Sequence, residues 1–198
     1  MSGISAHIFR SAAFRSVVKE AITFFENTPV MPLPPRSKFE GTGAYAIYYR
    51  GQFEPYLPLQ KLPVCPIYVG KAVPEGWRQG RKTDSEATEL FSRLNQHANS
   101  ISQVNNLDLK DFTCRFMILA GVEGDLVVPV EAELIRKYRP LWNSVVDGFG
   151  NHDPGKGRYE QSKSEWDVLH PGRDWAKRLN GPRPKLTIIK KNIGLFFR

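Results

Sequence analysis

Between residues 43 and 49 the chain reads Gly-Ala-Tyr-Ala-Ile-Tyr-Tyr, and between 66 and 72 it reads Pro-Ile-Tyr-Val-Gly-Lys-Ala. Both runs alternate with period two, are rich in β-branched and aromatic residues, and are bounded by Gly or Pro. They therefore predict two adjacent strands of one small sheet. Tyr45, Ile47 and Tyr49 share one face of the first strand, and in the second Ile67 and Val69 oppose Tyr68. Each strand can bring a tyrosine to a common site. Residues 50 to 63, polar and Pro-containing, make a connection too long for a tight hairpin.

Around this pair the pattern predicts helices. Phe14, Val17, Val18, Ala21, Ile22 and Phe25 recur at helical spacing, so residues 11 to 26 read as a helix that docks on the body and stops where Pro29 and Pro32 to Pro35 impose extended chain. The same stretch is Ser-rich and Arg-bearing, as transit peptides are, but the apolar stripe favours the docking helix. Thr83-Asp84-Ser85-Glu86 has capping-box spacing and opens a helix to about Asn99, its buried stripe Ala87, Leu90, Phe91, Leu94 and Ala98. Arg93 and His97, four apart, project together at the border of that stripe. Residues 111 to 120 read as a third strand. Pro129 suits the first position of a further helix ending before Pro140.

That last helix carries an anomaly. Glu131 falls with Leu134, Ile135 and Tyr138 at i, i+3, i+4, i+7, which sets a carboxylate on the apolar side. A charge there must be paired or bound to a cation. Glu133 points elsewhere and has Lys137 at i+4, an ordinary exposed pair. Further on, Leu186 to Ile189 and Ile193 to Phe197 look strand-like, suited to packing or a dimer contact.

Composition is that of an ordinary globular protein, with 198 residues and a formal charge of +8. A pI near 9.6 points to an anionic partner, nucleic acid first and acidic membrane second. The excess is uneven: residues 151 to 198 hold 11 Lys and Arg against 5 Asp and Glu. Cys65 and Cys114 lack metal-ligand or CxxC spacing and are expected as reduced thiols. No apolar run approaches a membrane span. The glycine-rich segment 147 to 158 lacks Walker spacing, so no nucleotide cofactor is expected. His152 and His170 lack companions at zinc-ligand spacing.

Taken in order, Gly43-Ala-Tyr45, Tyr68-Val-Gly-Lys71-Ala, Arg93 with His97, Glu131 before Leu134-Ile135, and Asn143 after Pro140 resemble the signature of the GIY-YIG nuclease superfamily. The two His-bearing C-terminal runs, 147 to 158 and 166 to 175, resemble those of its small type II restriction endonucleases that cut CCGCGG, and the likeness spans roughly residues 38 to 180. The resemblance implies an α+β fold: a small, mainly antiparallel central sheet flanked by helices, with an N-terminal helix and a basic C-terminal extension. It implies one nuclease domain over 1–198, with the helix and linker in 1–37, the catalytic core in 38–145 and a DNA-binding and dimer extension in 146–198.

By the same resemblance Tyr45 is the general base or water-positioning phenol, His97 its proton partner, and Tyr68 a second phenol orienting water or phosphate. Lys71 favours the phenolate, Arg93 stabilises the transition state, Glu131 binds one Mg²⁺ (with Mn²⁺ as a substitute), and Asn143 steadies the site. Arg78, Arg81, Lys82, Lys156, Arg158, Arg173, Lys177 and Arg178 are the expected DNA-binding cations. Double-stranded DNA, cut at a palindrome by a homodimer, is the expected partner, with no membrane and a cytoplasmic, prokaryotic setting. The competing expectations are a structure-directed repair or homing nuclease, and a noncatalytic DNA-binding module on the same scaffold.

Overall fold

The computed structural model describes residues 7–62, 64–74 and 88–198. Its central strand, β2 (Gly43–Tyr49), is buried at all seven positions. Burial on both faces explains the lack of any polar residue in it: Tyr45, Ile47 and Tyr49 enter one hydrophobic cluster while Ala44, Ala46 and Tyr48 enter another. On one side β2 pairs with β3 (Tyr68–Ala72), on the other with β4 (Phe112–Ile118), and a two-residue strand, β1 (Met31–Pro32), closes the far edge of β4. All pairings are antiparallel, in the order β1-β4-β2-β3, and helices flank the sheet, so the fold is α+β as expected. At the start of β2, Gly43 has φ +155° and a side chain there would collide with the Met117 carbonyl. Only glycine lets β4 approach so closely.

One face of the sheet is covered by α1 (Ala12–Asn27) and α3 (Val127–Tyr138). Ser11 caps α1 by accepting from the Phe14 N–H at 3.0 Å. Val18, Ile22 and Phe25 are its buried residues, whereas Phe14 and Val17 of the expected stripe are exposed. Glu26 takes hydrogen bonds from Lys137 and Tyr138 of α3, and Arg115 of β4 donates to the Glu26 and Thr28 carbonyls. The helix is thus docked at its C-terminal end. Helix α3 starts two residues before Pro129, which sits in the first turn where its missing N–H costs nothing. Lys137 is engaged by Glu26, so Glu133 pairs with Arg136 instead.

The opposite face carries α2 (Glu89–Ser102), then α4 (Leu141–Ser144), α5 (Glu165–Leu169) and α7 (Leu186–Phe196), with the short α6 (Asp174–Lys177) between the last two in the chain. The capping-box residues proposed to start α2 lie outside the described residues. The strand-like tail is a correction: residues 186–196 form one helix, because Ile189 and Ile193, four apart, are buried together in the main cluster. Packing has overridden β-propensity. Trp142, Trp166, Leu169, Ile189 and Ile193 share that cluster with Tyr45 and Leu94, so the C-terminal segment is built into the same hydrophobic core as the sheet.

Candidate active site

Tyr45 of β2 stands directly opposite Gly70 of β3. A Cβ at Gly70 would collide with the Tyr45 hydroxyl, so the glycine is what lets this phenol cross the neighbouring strand. Tyr68 lies beside it, ring centroids 6.2 Å apart. The two rings open on a cavity of about 680 Å³ whose walls also include Lys71, Arg93, Glu131 and His152. Five of the seven expected catalytic residues meet there.

The other two stand behind it. His97, on α2, is 2 % exposed, deeper than the border position its spacing suggested, and its Nε2 lies 2.6 Å from the Tyr45 oxygen. Asn143 of α4 clasps the backbone of Val69, its Oδ1 accepting from the N–H at 2.8 Å and its Nδ2 donating to the carbonyl at 2.9 Å. It thereby fixes β3 between Tyr68 and Gly70. Asn143 acts on the strand and is not among the residues lining this cavity.

Burial sets the protonation states. It raises the Tyr45 phenol well above its ordinary value, with neighbouring Tyr68 adding to the effect. Burial and then the Arg93 charge hold the His97 imidazole well below 6.5. The pair is therefore neutral at pH 7, a phenol donating to an imidazole. Tyr68 is also raised by burial, partly opposed by Arg93.

Glu131 is paired with Lys71, and its side chain is 17 % exposed. The anomalous carboxylate of the apolar face is thus at the cavity wall with a cationic partner, while Val127, Val130 and Leu134 form the buried stripe of α3. Glu89, at the start of α2, was not anticipated: it lines the same cavity, and its Oε2 is buried without a hydrogen-bond partner among the described residues. Its signal was the four-residue spacing to Arg93. Among the described residues no cluster of three or more His, Cys, Asp or Glu is placed to enclose a metal ion.

The expected DNA-binding cations divide. Lys156 and Arg158 are exposed. Arg158 lines a second cavity of about 410 Å³ that shares Gly150 and His152 with the first. Lys177 pairs with Asp174 at 2.8 Å, and Arg178 with Asp153 at 2.5 Å. Arg173 is a correction: it is 1 % exposed, with its guanidinium engaged by Asp167 and by backbone carbonyls, so it is a structural cation out of reach of a phosphate. Arg78, Arg81 and Lys82 lie outside the described residues.

Two tyrosines from adjacent antiparallel strands, an arginine from the following helix and a glutamate from the next thus line one cavity, the arrangement expected from the resemblance to the GIY-YIG nucleases. The family model described as the Eco29kI GIY-YIG domain matches residues 37–197, and the chain belongs to that family. It is thus a nuclease domain of restriction type, and the match takes in the tail beyond Gly181. No curated protein matches the chain. Among the described residues no helix is long and apolar enough to cross a membrane.

Proposed function

We propose that the protein is a type II restriction endonuclease that hydrolyses phosphodiester bonds at a palindromic duplex site, CCGCGG by resemblance, as a homodimer with one Mg²⁺ per active site. The observation that carries this reading is the buried Tyr45–His97 hydrogen bond opening on the cavity that also receives Arg93 and Glu131. Tyr45 takes a proton from the attacking water as its own proton passes along the 2.6 Å bond to His97 Nε2. A tyrosine too weakly acidic to ionise at pH 7 can act in this way because the imidazole beside it is neutral. The water oxygen bonds to phosphorus, the bond to the 3′ oxygen breaks, and that oxygen is protonated from solvent. Arg93 faces the charge that grows on the phosphoryl oxygens.

The donor set fits a hard cation that keeps most of its own water. Glu131 gives one accessible carboxylate, and Glu89 holds an orphaned carboxylate oxygen on the same cavity. Glu131 would hold the ion, with Lys71 paired beside its carboxylate. Bound there, Mg²⁺ supplies positive charge to the phosphoryl group and leaving oxygen.

Incubating plasmid DNA with the protein, with Mg²⁺ or with chelator, and sequencing the ends tests the reading. Uniform ends at one palindrome, only with metal, are expected; random nicks or a preference for branched DNA would favour a repair nuclease. Glu131→Gln should lower the rate by about 10²–10³-fold, the scale of one lost electrostatic stabiliser. Glu133→Gln, which removes an exposed pair with Arg136 away from the cavity, should leave it unchanged.

A further inference from the structure

Residues 148–152 meet the catalytic groups at three places. Phe149 lies nearly parallel to the His97 imidazole, centroids 4.5 Å apart and planes 19° from parallel. Gly150 packs against Tyr68 so closely that a Cβ there would stand 2.8 Å from the phenol oxygen. Arg93 Nη1 hydrogen-bonds with His152 Nε2 at the end of the segment.

The segment is pinned from behind by Arg173. That guanidinium donates Nη1 to the Phe149 carbonyl at 2.9 Å and the Asn151 carbonyl at 3.2 Å, and Nη2 to the Gly148 carbonyl at 2.8 Å. Asp167 accepts from Nε at 2.7 Å and Nη2 at 2.8 Å, and the Trp166 and Trp175 rings lie 4.5 and 4.6 Å from the guanidinium carbon. Three carbonyls within four residues are held by one planar fork. His152 is open to solvent, yet it projects from a fixed backbone.

From these contacts the geometry points to His152 as a positioning residue for Arg93, accepting its Nη1–H and holding the guanidinium in the cavity beside Tyr68 and Glu131. Ordering an arginine side chain costs rotamer entropy, so one already held in place needs less ordering when a phosphate arrives. Nη1 also donates to Gln96 Oε1 at 3.2 Å, which leaves the Nε–H and Nη2–H groups of the fork, with no hydrogen bond among the described residues, to meet phosphoryl oxygens. Only a neutral imidazole can accept this bond. Partial desolvation where the ring turns toward the cavity, and then the Arg93 and Arg173 charges that face it, lower its pKa from the ordinary 6.5 and favour the neutral form at pH 7, although the residue keeps an exposed edge. The catalytic consequence rests on the nuclease reading; the contact does not.

Imidazole ¹⁵N NMR tests the contact without turnover. His152 should carry its proton on Nδ1, and Arg93→Gln should raise its pKa by removing the adjacent cation; a mixed tautomer and an unmoved titration would overturn the inference. Single-turnover cleavage tests the role. His152→Ala should slow cleavage by about 10- to 100-fold, the scale of a misplaced catalytic group, with DNA binding retained. His152→Gln, whose amide oxygen accepts the same bond, should recover most of the rate, and His152→Ala should cost nothing further in an Arg93→Gln background. Failure of the glutamine to rescue, or equal losses in both backgrounds, would refute positioning. A wild-type protein that cuts no duplex would sink the nuclease reading instead, and the NMR result would then decide by itself whether His152 holds Arg93.

Discussion

Two tyrosine–histidine hydrogen bonds of the same length, 2.6 Å, lie on this side of the sheet: Tyr45 with His97, and Tyr56 with His170. All four residues are buried, and in both pairs burial raises the phenol and lowers the imidazole. They differ in what is left over. His170 Nδ1 donates to Asn106 Oδ1 at 2.9 Å, and the Tyr56 oxygen also accepts from Trp142 Nε1 at 2.9 Å, so every polar valence is closed inside the core. Tyr45 faces a cavity with an arginine and a glutamate on its walls, and His97 makes no second hydrogen bond among the described residues. The same chemical pair is a closed strut in one place and, in the mechanism we propose, a proton path in the other, and open valence is what separates them.

The largest expected effect breaks that comparison directly. Tyr45→Phe and Tyr56→Phe each leave a buried imidazole nitrogen without its partner, so each should cost about 1–3 kcal/mol of stability in denaturant titrations. Only Tyr45→Phe should also slow single-turnover cleavage, by about 10²–10⁴-fold, the usual range for a lost acid–base group. Comparable rate losses in the two variants would show that the open valence has no catalytic meaning.

Acid should separate the pairs by a smaller margin. His170 is pushed down to about 3 by burial and then by Arg173. Its neutral form is the folded one, so its stabilisation is complete above the unfolded value near 6.5 and is lost as pH falls from there toward 3. The slope is roughly 1.4 kcal/mol per pH unit, or about 2 kcal/mol by pH 5. His97 acts with the same sign, so His170→Gln should flatten the acid loss of stability without abolishing it. His97 should appear in the rate as well: cleavage should fall only below the ordinary histidine range, as its depressed pKa is crossed. An acid limb centred at or above 6.5 would contradict a buried proton acceptor.

The sequence carried the sheet and most of the cavity because their residues sit at fixed local spacings. Alternation gave β2 and β3, and the helical period placed Arg93 with His97 and set Glu131 apart from Glu133. What was illegible depended on distant partners. Residues 186–196 are β-branched and apolar enough to suit strands, and only the core under Ile189 and Ile193 selects the helix. Arg173 resembles its exposed neighbours until Asp167, two tryptophans and three carbonyls enclose it. His152 lies 59 residues from Arg93, a separation no motif spans.

The smallest expected effect extends the contrast between engaged and available groups to the surface. Lys156→Ala with Arg158→Ala removes two positive charges, and so does Lys177→Ala with Arg178→Ala. If net charge alone governed DNA binding, the two double variants would weaken it equally. Their surroundings differ, however: Lys177 and Arg178 already face Asp174 and Asp153, whereas Lys156 and Arg158 make no ion pair among the described residues, and Arg158 lines the cavity joined to the active site through Gly150 and His152. A cation already paired with a carboxylate replaces fewer condensed counterions on the duplex than one without a partner. Each phosphate contact contributes about 0.9 to the slope of log affinity against log salt, so the first double variant should flatten that slope by close to two and the second by less than one. Titrations over a salt series, made in chelator so that no cleavage occurs, would measure both. Equal flattening would mean that the pairs with Asp153 and Asp174 open on binding, and that the available cations of this surface extend to α6.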